Sequence, residues 1–459
     1  MKIKIVSLFI LLSATAFSQE KSTLPTFKKR VLESTEVDFL ASYYNQDGSR
    51  SAVSGGLGSE KLTDVASNIV IAMPLNDDDV LTVDLGISAY TSASSSNINP
   101  YDSRSTPTPW QASSGASKSD QLVSAVVNYS HSSDSRNFIW NADASFSNEY
   151  DYTSVGFGGG IASLFNEKNT ELSLKVNAYL DQWRPIYPKE FDEYSKYGLN
   201  FTNQGYLSGA NILDQNGLPT TSYSPSAFKT ITVVSRNSFS ASFGLSQVLT
   251  NKLQFSLFFD VLQQQGLLST PYHRIYFADK ANFYIGQAQY ISNYENKNNA
   301  GVYKLADDIE RLPDTRFKLP IGARLNYYIN ERFILRTYYR FYSDNWNIQS
   351  HTASIEIPVK LSDKFTVFPM YRYYIQTASK YYASYETHLS TETFYTSDAD
   401  LAAFNANQYG FGINYTDIFT KAKLWKFGLK NIEFRFNHYQ RSDNLNANIA
   451  TIAFKFIMQ

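Results

Sequence analysis

Cysteine is absent from the 459 residues, which excludes disulfides, thiolate metal ligands, a cysteine nucleophile and a lipidated N-terminal cysteine. An excess of charge is absent too: Lys+Arg number 41 against 42 Asp+Glu, a formal net charge of −1. No global basic field exists to hold nucleic acid, and none is expected as a partner. Beyond the N-terminus no stretch approaches the roughly 20 apolar residues that a membrane helix needs, and mean hydropathy is −0.32. A helical membrane bundle is excluded. Histidine is scarce: only His131, His273, His351, His388 and His438. None has metal-ligand spacing, and none pairs visibly with an Asp and a Ser on one strand face. We therefore expect no metal, no cofactor and no catalytic residue, and the chain does not read as an enzyme.

What is abundant is aromatic. Tyr and Phe number 34 and 32, which suits interfacial girdles where amphipathic rings sit at headgroup level. The pattern is clearest between 314 and 377. Phe317, Leu319, Ile321, Ala323, Leu325, Tyr327 and Ile329 alternate with Lys318, Pro320, Gly322, Arg324, Asn326 and Tyr328. The alternation resumes after Asn330-Glu331 and runs on through Phe333 to Phe341, Ala353 to Val359 and Val367 to Ile375. A period of two puts alternate side chains on opposite faces of a strand. These runs reach about 12–16 residues, against about 5–6 for a usual globular strand. The fold class implied is all-β: a transmembrane antiparallel β-barrel, apolar toward lipid and polar toward a lumen.

The rest of the chain fits that frame. Lys2 and Lys4, the apolar run 5–12 and Ala16-Phe17-Ser18 before Gln19 form a Sec-type signal peptide over 1–18. A short periplasmic segment, 19–32, then leads into a single barrel domain, 33–459, in the outer membrane of a Gram-negative cell. Strand runs number about 16, or 14–18 should the link 417–430 be misjudged. Short turns fall on one side (76–79, 132–135, 166–169, 250–252, 330–331, 362–364) and long connections on the other (184–230, 265–313), as periplasmic turns and external loops do. A soluble sandwich or propeller predicts shorter strands and no such asymmetry. Gly156 to Gly160 lacks the downstream features of a nucleotide loop, and reads as a bend or close backbone approach.

Alternation also assigns charges to the lumen. Asp38, Asp84, Asp143, Asp181 and Asp260 form an acidic wall on early strands. Arg316, Lys318, Arg324, Arg332, Arg336, Arg340, Arg372 and Arg435 form a basic wall on later ones, with Glu356 and Glu433 among them. Facing walls would orient dipolar solutes in a pore; alternatively the charges meet and seal the barrel. Guanidinium forks suit carboxylate and phosphate, so Arg332, Arg336, Arg340 and Arg372 form a candidate anion site. The bland reading is that lumen Arg and Tyr are structural ladders.

The same stretch carries a resemblance. Pro313, Asp314 and Arg316, then Tyr339, Arg340, Asp344 and Trp346, then Tyr371, Arg372, Tyr374 and Gln376 follow a recognisable order. With Ser114-Gly115-Ala116-Ser117 and Ser397-Asp398-Ala399-Asp400-Leu401, they resemble the bacterial outer-membrane family catalogued as domain of unknown function 3570, found largely in Bacteroidota. The resemblance implies a barrel and an envelope location; it implies no activity. One departure is the C-terminus, where Phe456 is followed by Ile457-Met458-Gln459 rather than ending the chain on an aromatic residue. Two functions remain open: a porin-like channel for small polar or anionic solutes, or a non-conducting, plugged scaffold that docks a periplasmic or surface partner. Outer-membrane lipid and, during assembly, the insertion machinery are the other partners expected.

Overall fold

Each period-two run becomes a strand. The computed structural model describes residues 30–91, 119–205, 208–293 and 302–459. The expected signal peptide, most of the segment 19–32 and the Ser114–Ser117 motif lie outside the described residues. The wall begins with β1 (Glu36–Asp47), β2 (Leu62–Pro74), β3 (Asp79–Thr91) and β4 (Ser119–Ser132). It continues through β5 (Phe138–Asn148), β6 (Tyr152–Phe165), β7 (Thr170–Trp183), β8 (Arg236–Thr250) and β9 (Leu253–Gly266). Then come β10 (Thr315–Tyr328), β11 (Ile334–Asp344), β12 (Gln349–Glu356) and β13 (Phe365–Gln376). The last three are β14 (Phe404–Thr416), β15 (Phe427–Arg441) and β16 (Asn446–Met458). Every strand pairs antiparallel with the next, and β1 pairs with β16 from Glu36↔Ile457 to Asp47↔Asn446. The 16-stranded sheet is therefore closed, leaving no edge whose N–H and C=O groups would lie unpaired in lipid.

The turns form for identifiable reasons. Asn76 Oδ1 accepts from the N–H of Asp78 and Asp79, at 2.8 and 2.9 Å. Asn330 Oδ1 does the same for Arg332 and Phe333, at 2.9 and 3.0 Å. Such side chains mimic a backbone turn, which is why Asn, Asp and Ser cluster there. The N-terminal end of the described chain joins this rim, where Val31 N–H donates to Asp77 O at 3.0 Å.

Period two breaks where the ladder breaks. β15 starts at Phe427, inside the expected link 417–430, and a register shift between Leu429 and Asn431 reverses its faces. The link before it contains only a two-residue fragment, Lys423–Leu424, folded back on β15, so 417–430 adds no further pair of wall strands. β12 stops at Glu356, just before Ile357-Pro358, since proline cannot donate to a ladder.

Register confirms one inward and one outward face. Outward lie Val65, Leu85, Phe157, Val176, Ile321 and Phe411, all exposed. Each such side chain gains about 1.5–3 kcal/mol on leaving water, so this surface belongs in the membrane. Rings on it pair, as Phe243 and Phe259 stack at 4.5 Å. Inward, Gly158 is a close approach: a Cβ there would lie 2.6 Å from the Asp143 carboxylate oxygens and 2.7 Å from Asn177 Oδ1.

Candidate functional site

The lumen wall is polar, and part of its charge is paired or hydrogen-bonded along the wall. Lys455 reaches Glu36 at 2.5 Å and Asp38 at 3.4 Å. Lys175 lies 3.6 Å from Asp143, Asn68 donates to Asp84 at 2.5 Å, and buried Asp181 accepts from the Tyr152 hydroxyl. Asp260 stands opposite Ser242. On the other arc, Glu356 is bridged by Arg336 at 2.9 Å and Arg435 at 2.7 Å, and Arg435 also holds Glu433 at 2.5 Å.

Three of the expected arginines that lie on wall strands remain without a carboxylate. Among the described residues, Arg324, Arg340 and Arg372 make no ion pair. Arg324 rests on Phe258 and Tyr338, 5.5 and 5.6 Å from their ring centres. Arg340 Nε is buried with no protein partner. Arg324, Arg336, Arg372, Tyr338 and Glu356 surround a cavity of about 460 Å³ in the half of the barrel nearer the short turns. Lys318 stands closer to the mouth, opposite Leu262 and Asp344.

One assignment to the basic wall changes, and a second, Arg316, is held in an ion pair. Arg332 lies in the β10–β11 turn, outside either strand; the Asn330 turn occupies the residues that alternation had extended into the wall. Arg316 is a strut. Its Nε and Nη2 both donate to Asp344 Oδ2, at 2.9 and 2.5 Å, and its guanidinium lies 4.3 Å from the centre of the Trp346 ring.

The long connections do not behave as open loops. The described residues of 48–61, 184–235, 267–314 and 377–403 assemble at the opposite rim from the short turns. Helix α1 (Lys189–Tyr197) seats Phe191 against Phe228, Tyr276, Ala306 and Ile309. Phe201, Ile212, Tyr223, Ile285 and Leu305 form a second apolar cluster. Short antiparallel pairs, Phe283–Gly286 with Val302–Leu305 and Arg274–Ile275 with Asp308–Ile309, tie 267–314 to itself. This is a cap with its own core. Its pin is Arg274, 1% exposed, which donates to Glu190 at 2.8 and 3.2 Å and to Val53 O at 3.1 Å.

Cap and wall are fastened by polar contacts. Arg441 on β15 grips Asp443 at 3.0 and 2.6 Å, Asp400 at 2.5 Å and Ala399 O at 2.9 Å. Gln376 on β13 donates to Asp400 O and Ala402 O, at 2.9 and 2.6 Å. Between them lies a cavity of about 680 Å³, lined by Tyr44, Tyr90, Tyr152, Trp183, Arg236 and Tyr439 of the wall and Tyr272, His273, Asp398 and Asp400 of the cap.

The cap also carries a pH-sensitive group. Burial lifts the Asp307 carboxyl to about 6, against the Phe277 N–H at 2.8 Å and the charges of Lys304 and Lys280; Asp279 adds to the rise. The folded cap thus binds a proton more tightly than the unfolded chain, and its stability falls as pH rises between about 4 and 6. The loss is roughly 3 kcal/mol when complete. Amide exchange of 267–314, corrected for intrinsic rates, is expected to be faster at pH 7 than at pH 4. Asp307→Asn flattens that slope; a slope unchanged in the variant assigns the effect elsewhere.

The family described as "Protein of unknown function (DUF3570)" matches residues 5–453. The chain belongs to that family. No curated protein matches it. Among solved structures, a "Bacterial polysaccharide outer membrane secretin" is 8% identical at a TM-score of 0.39, covering 92% of this chain and 97% of that one. Pseudomonas aeruginosa OccK2 in complex with glucuronate is 8% identical at 0.38, covering 94% and 99%. A TodX monoaromatic hydrocarbon channel mutant is 10% identical at 0.36, covering 93% and 90%. These likenesses are too distant to carry an argument about function.

The DUF3570 motif residues now have places. Asp314 O accepts from Gly266 N–H at 2.7 Å, just after Pro313. Arg316, Asp344 and Trp346 interlock, and Tyr374 donates to Gln376 Oε1 at 2.5 Å. Tyr339 and Tyr371 face outward, bonded to His351 at 2.8 Å and Asn407 at 2.7 Å. Only Arg340 and Arg372 of the motif stand in the lumen without carboxylate partners. Most of the motif builds the mouth.

Proposed function

We propose that this DUF3570 protein is a porin-like channel for small polar solutes, with a preference for anions, whose mouth is covered by a loop cap. The observation that carries this reading is the group Arg324, Arg340 and Arg372, unpaired among the described residues and set around or beside an open lumen cavity. Guanidinium groups held in a narrow aqueous passage favour anions by field and by bidentate hydrogen bonding. The acidic wall offsets them in part: Lys455 and Lys175 pair with Asp38 and Asp143, while Asp84, Asp181 and Asp260 have no cation within 4 Å among the described residues. The reading includes export by the signal peptide 1–18 in a Gram-negative cell, a barrel domain over 33–459, assembly by the outer-membrane insertion machinery and no catalysis.

A second reading, the non-conducting scaffold, draws support from the cap, whose apolar clusters are those of a folded unit. Planar-bilayer recording of refolded protein under a salt gradient separates the two. A channel gives discrete conductance with anion preference, and Arg372→Glu lowers or reverses that preference. Silence from inserted, folded protein, with the cap intact or loosened, would transfer the case to the scaffold and a surface or periplasmic partner.

A further inference from the structure

The cap brings together three side chains that no sequence spacing connects. His273 and Glu310 come from the connection after β9, and Asp398 from the connection after β13. His273 Nδ1 lies 3.4 Å from Glu310 Oε2 and 4.0 Å from Asp398 Oδ2. The three ligand atoms all fall within 4.8 Å of one another. His273 and Asp398 line the 680 Å³ cavity, while Glu310 is buried behind them at 2% exposed.

Charge balance is what makes this cluster unusual. Glu310 accepts from two neutral donors, Thr270 N–H at 2.6 Å and the Thr396 hydroxyl at 2.5 Å. Asp398 accepts from Asp400 N–H at 2.9 Å. Among the described residues, His273 is the one basic side chain within 4 Å of either carboxylate. Two carboxylates withdrawn from bulk water around a single imidazole form an oxygen-rich ligand set in which a bound cation would offset the burial of both. Arg441, the nearby candidate, is already spent on Asp400 and Asp443.

We propose that His273, Glu310 and Asp398 bind a divalent transition-metal ion of the zinc or manganese class, clamping the 267–314 connection to the 377–403 connection across the mouth. One imidazole nitrogen with carboxylate oxygens suits zinc or manganese better than magnesium, which takes oxygen alone. Ligands on zinc, with bonds of about 2.0–2.1 Å, stand roughly 3.3 Å apart at tetrahedral angles. The imidazole and Glu310 already meet that spacing, and Asp398 closes the remainder once the cation offsets its repulsion from Glu310. With three protein ligands, the fourth position opens on the cavity, where water or an anionic solute completes the shell. The expectation of no metal rested on spacing within one segment; here the ligands come from two.

The test uses full-length mature protein refolded in detergent and stripped with a chelator. Isothermal titration with Zn²⁺ is expected to give one saturable site. His273→Gln and Asp398→Asn each weaken it by at least the roughly 10–100-fold that loss of even an outer-shell partner costs. His438→Gln, on the outer wall, leaves it unchanged. No saturable site in the wild type, or a site that survives in the double variant His273→Gln/Asp398→Asn, overturns the proposal. Should the variants not fold, X-ray absorption of the wild-type zinc complex decides. A shell of one imidazole with oxygens supports the site, and two or more imidazoles refute it. Binding is read without conductance, so failure of the site and failure of the channel reading are told apart.

Discussion

Arg274→Met is expected to loosen the cap while leaving the barrel closed. Arg274 joins three connections that are remote in sequence: Val53 in 48–61, Glu190 on α1 and its own segment after β9. Both charged partners are 1% exposed. Removing one leaves the other buried and unpaired, at roughly 3–5 kcal/mol. When a protease samples the transiently opened form, cleavage tracks that free energy. Cutting within 184–235 and 267–314 should therefore rise by about 100-fold or more. The β-ladder makes no use of the pair, so the variant should keep the fast, compact migration of an unheated barrel on a gel. Arg274→Met/Glu190→Leu supplies the control, since a buried ion pair replaced by apolar groups is often neutral. Protection restored in the double variant identifies the pair as the pin. A cleavage rate unchanged in Arg274→Met would show that the apolar clusters hold the cap alone. In the bilayer, the single variant should conduct more than the wild type if the cap limits passage.

Why the barrel was legible and the cap was not follows from the range of the forces. A strand declares itself through its own side chains, because each residue meets either lipid or lumen whatever its neighbours do. Phe317 to Tyr328 can be read as a wall from the sequence alone, down to which face Arg324 occupies. Where a local event shifts the phase, as at Leu429 to Asn431 or Pro358, the reading slips by a few residues and recovers. The cap offers no such period. Arg274 finds Glu190 84 residues away and Val53 221 away, and nothing in either segment names the other. For the same reason His273 looked like a solitary loop histidine. Asp398 did carry a signal, through the motif resemblance, but with no role attached. Alternation offered a face for each charged residue; pairing was not legible, because Arg435 reaches Glu356 across intervening strands.

Asp344→Ala should be the most damaging single change in the barrel wall itself. Its side chain, 0% exposed, serves four partners. Oδ1 accepts from the N–H groups of Trp346 and Ile348, both at 2.9 Å, and so shapes the β11–β12 turn. Oδ2 takes the Arg316 guanidinium and the Tyr342 hydroxyl, the latter at 2.9 Å. Alanine orphans a largely buried guanidinium and two turn N–H groups together, a loss of roughly 3–5 kcal/mol. Asparagine is the informative intermediate. Its carbonyl can still accept from the turn, but its amide then faces Arg316, so the turn survives and the ion pair does not. Refolding into lipid vesicles against urea should rank wild type above Asp344→Asn and Asp344→Ala last. Arg316→Met, by contrast, keeps the turn and the apolar contact with Trp346 while leaving Asp344 to Tyr342 and the backbone, so it should fall nearer wild type than Asp344→Ala. If Arg316→Met proves as costly as Asp344→Ala, the ion pair dominates and the turn is secondary. That ordering decides whether this part of the family motif is a latch for the mouth or a folded turn that an arginine happens to cover.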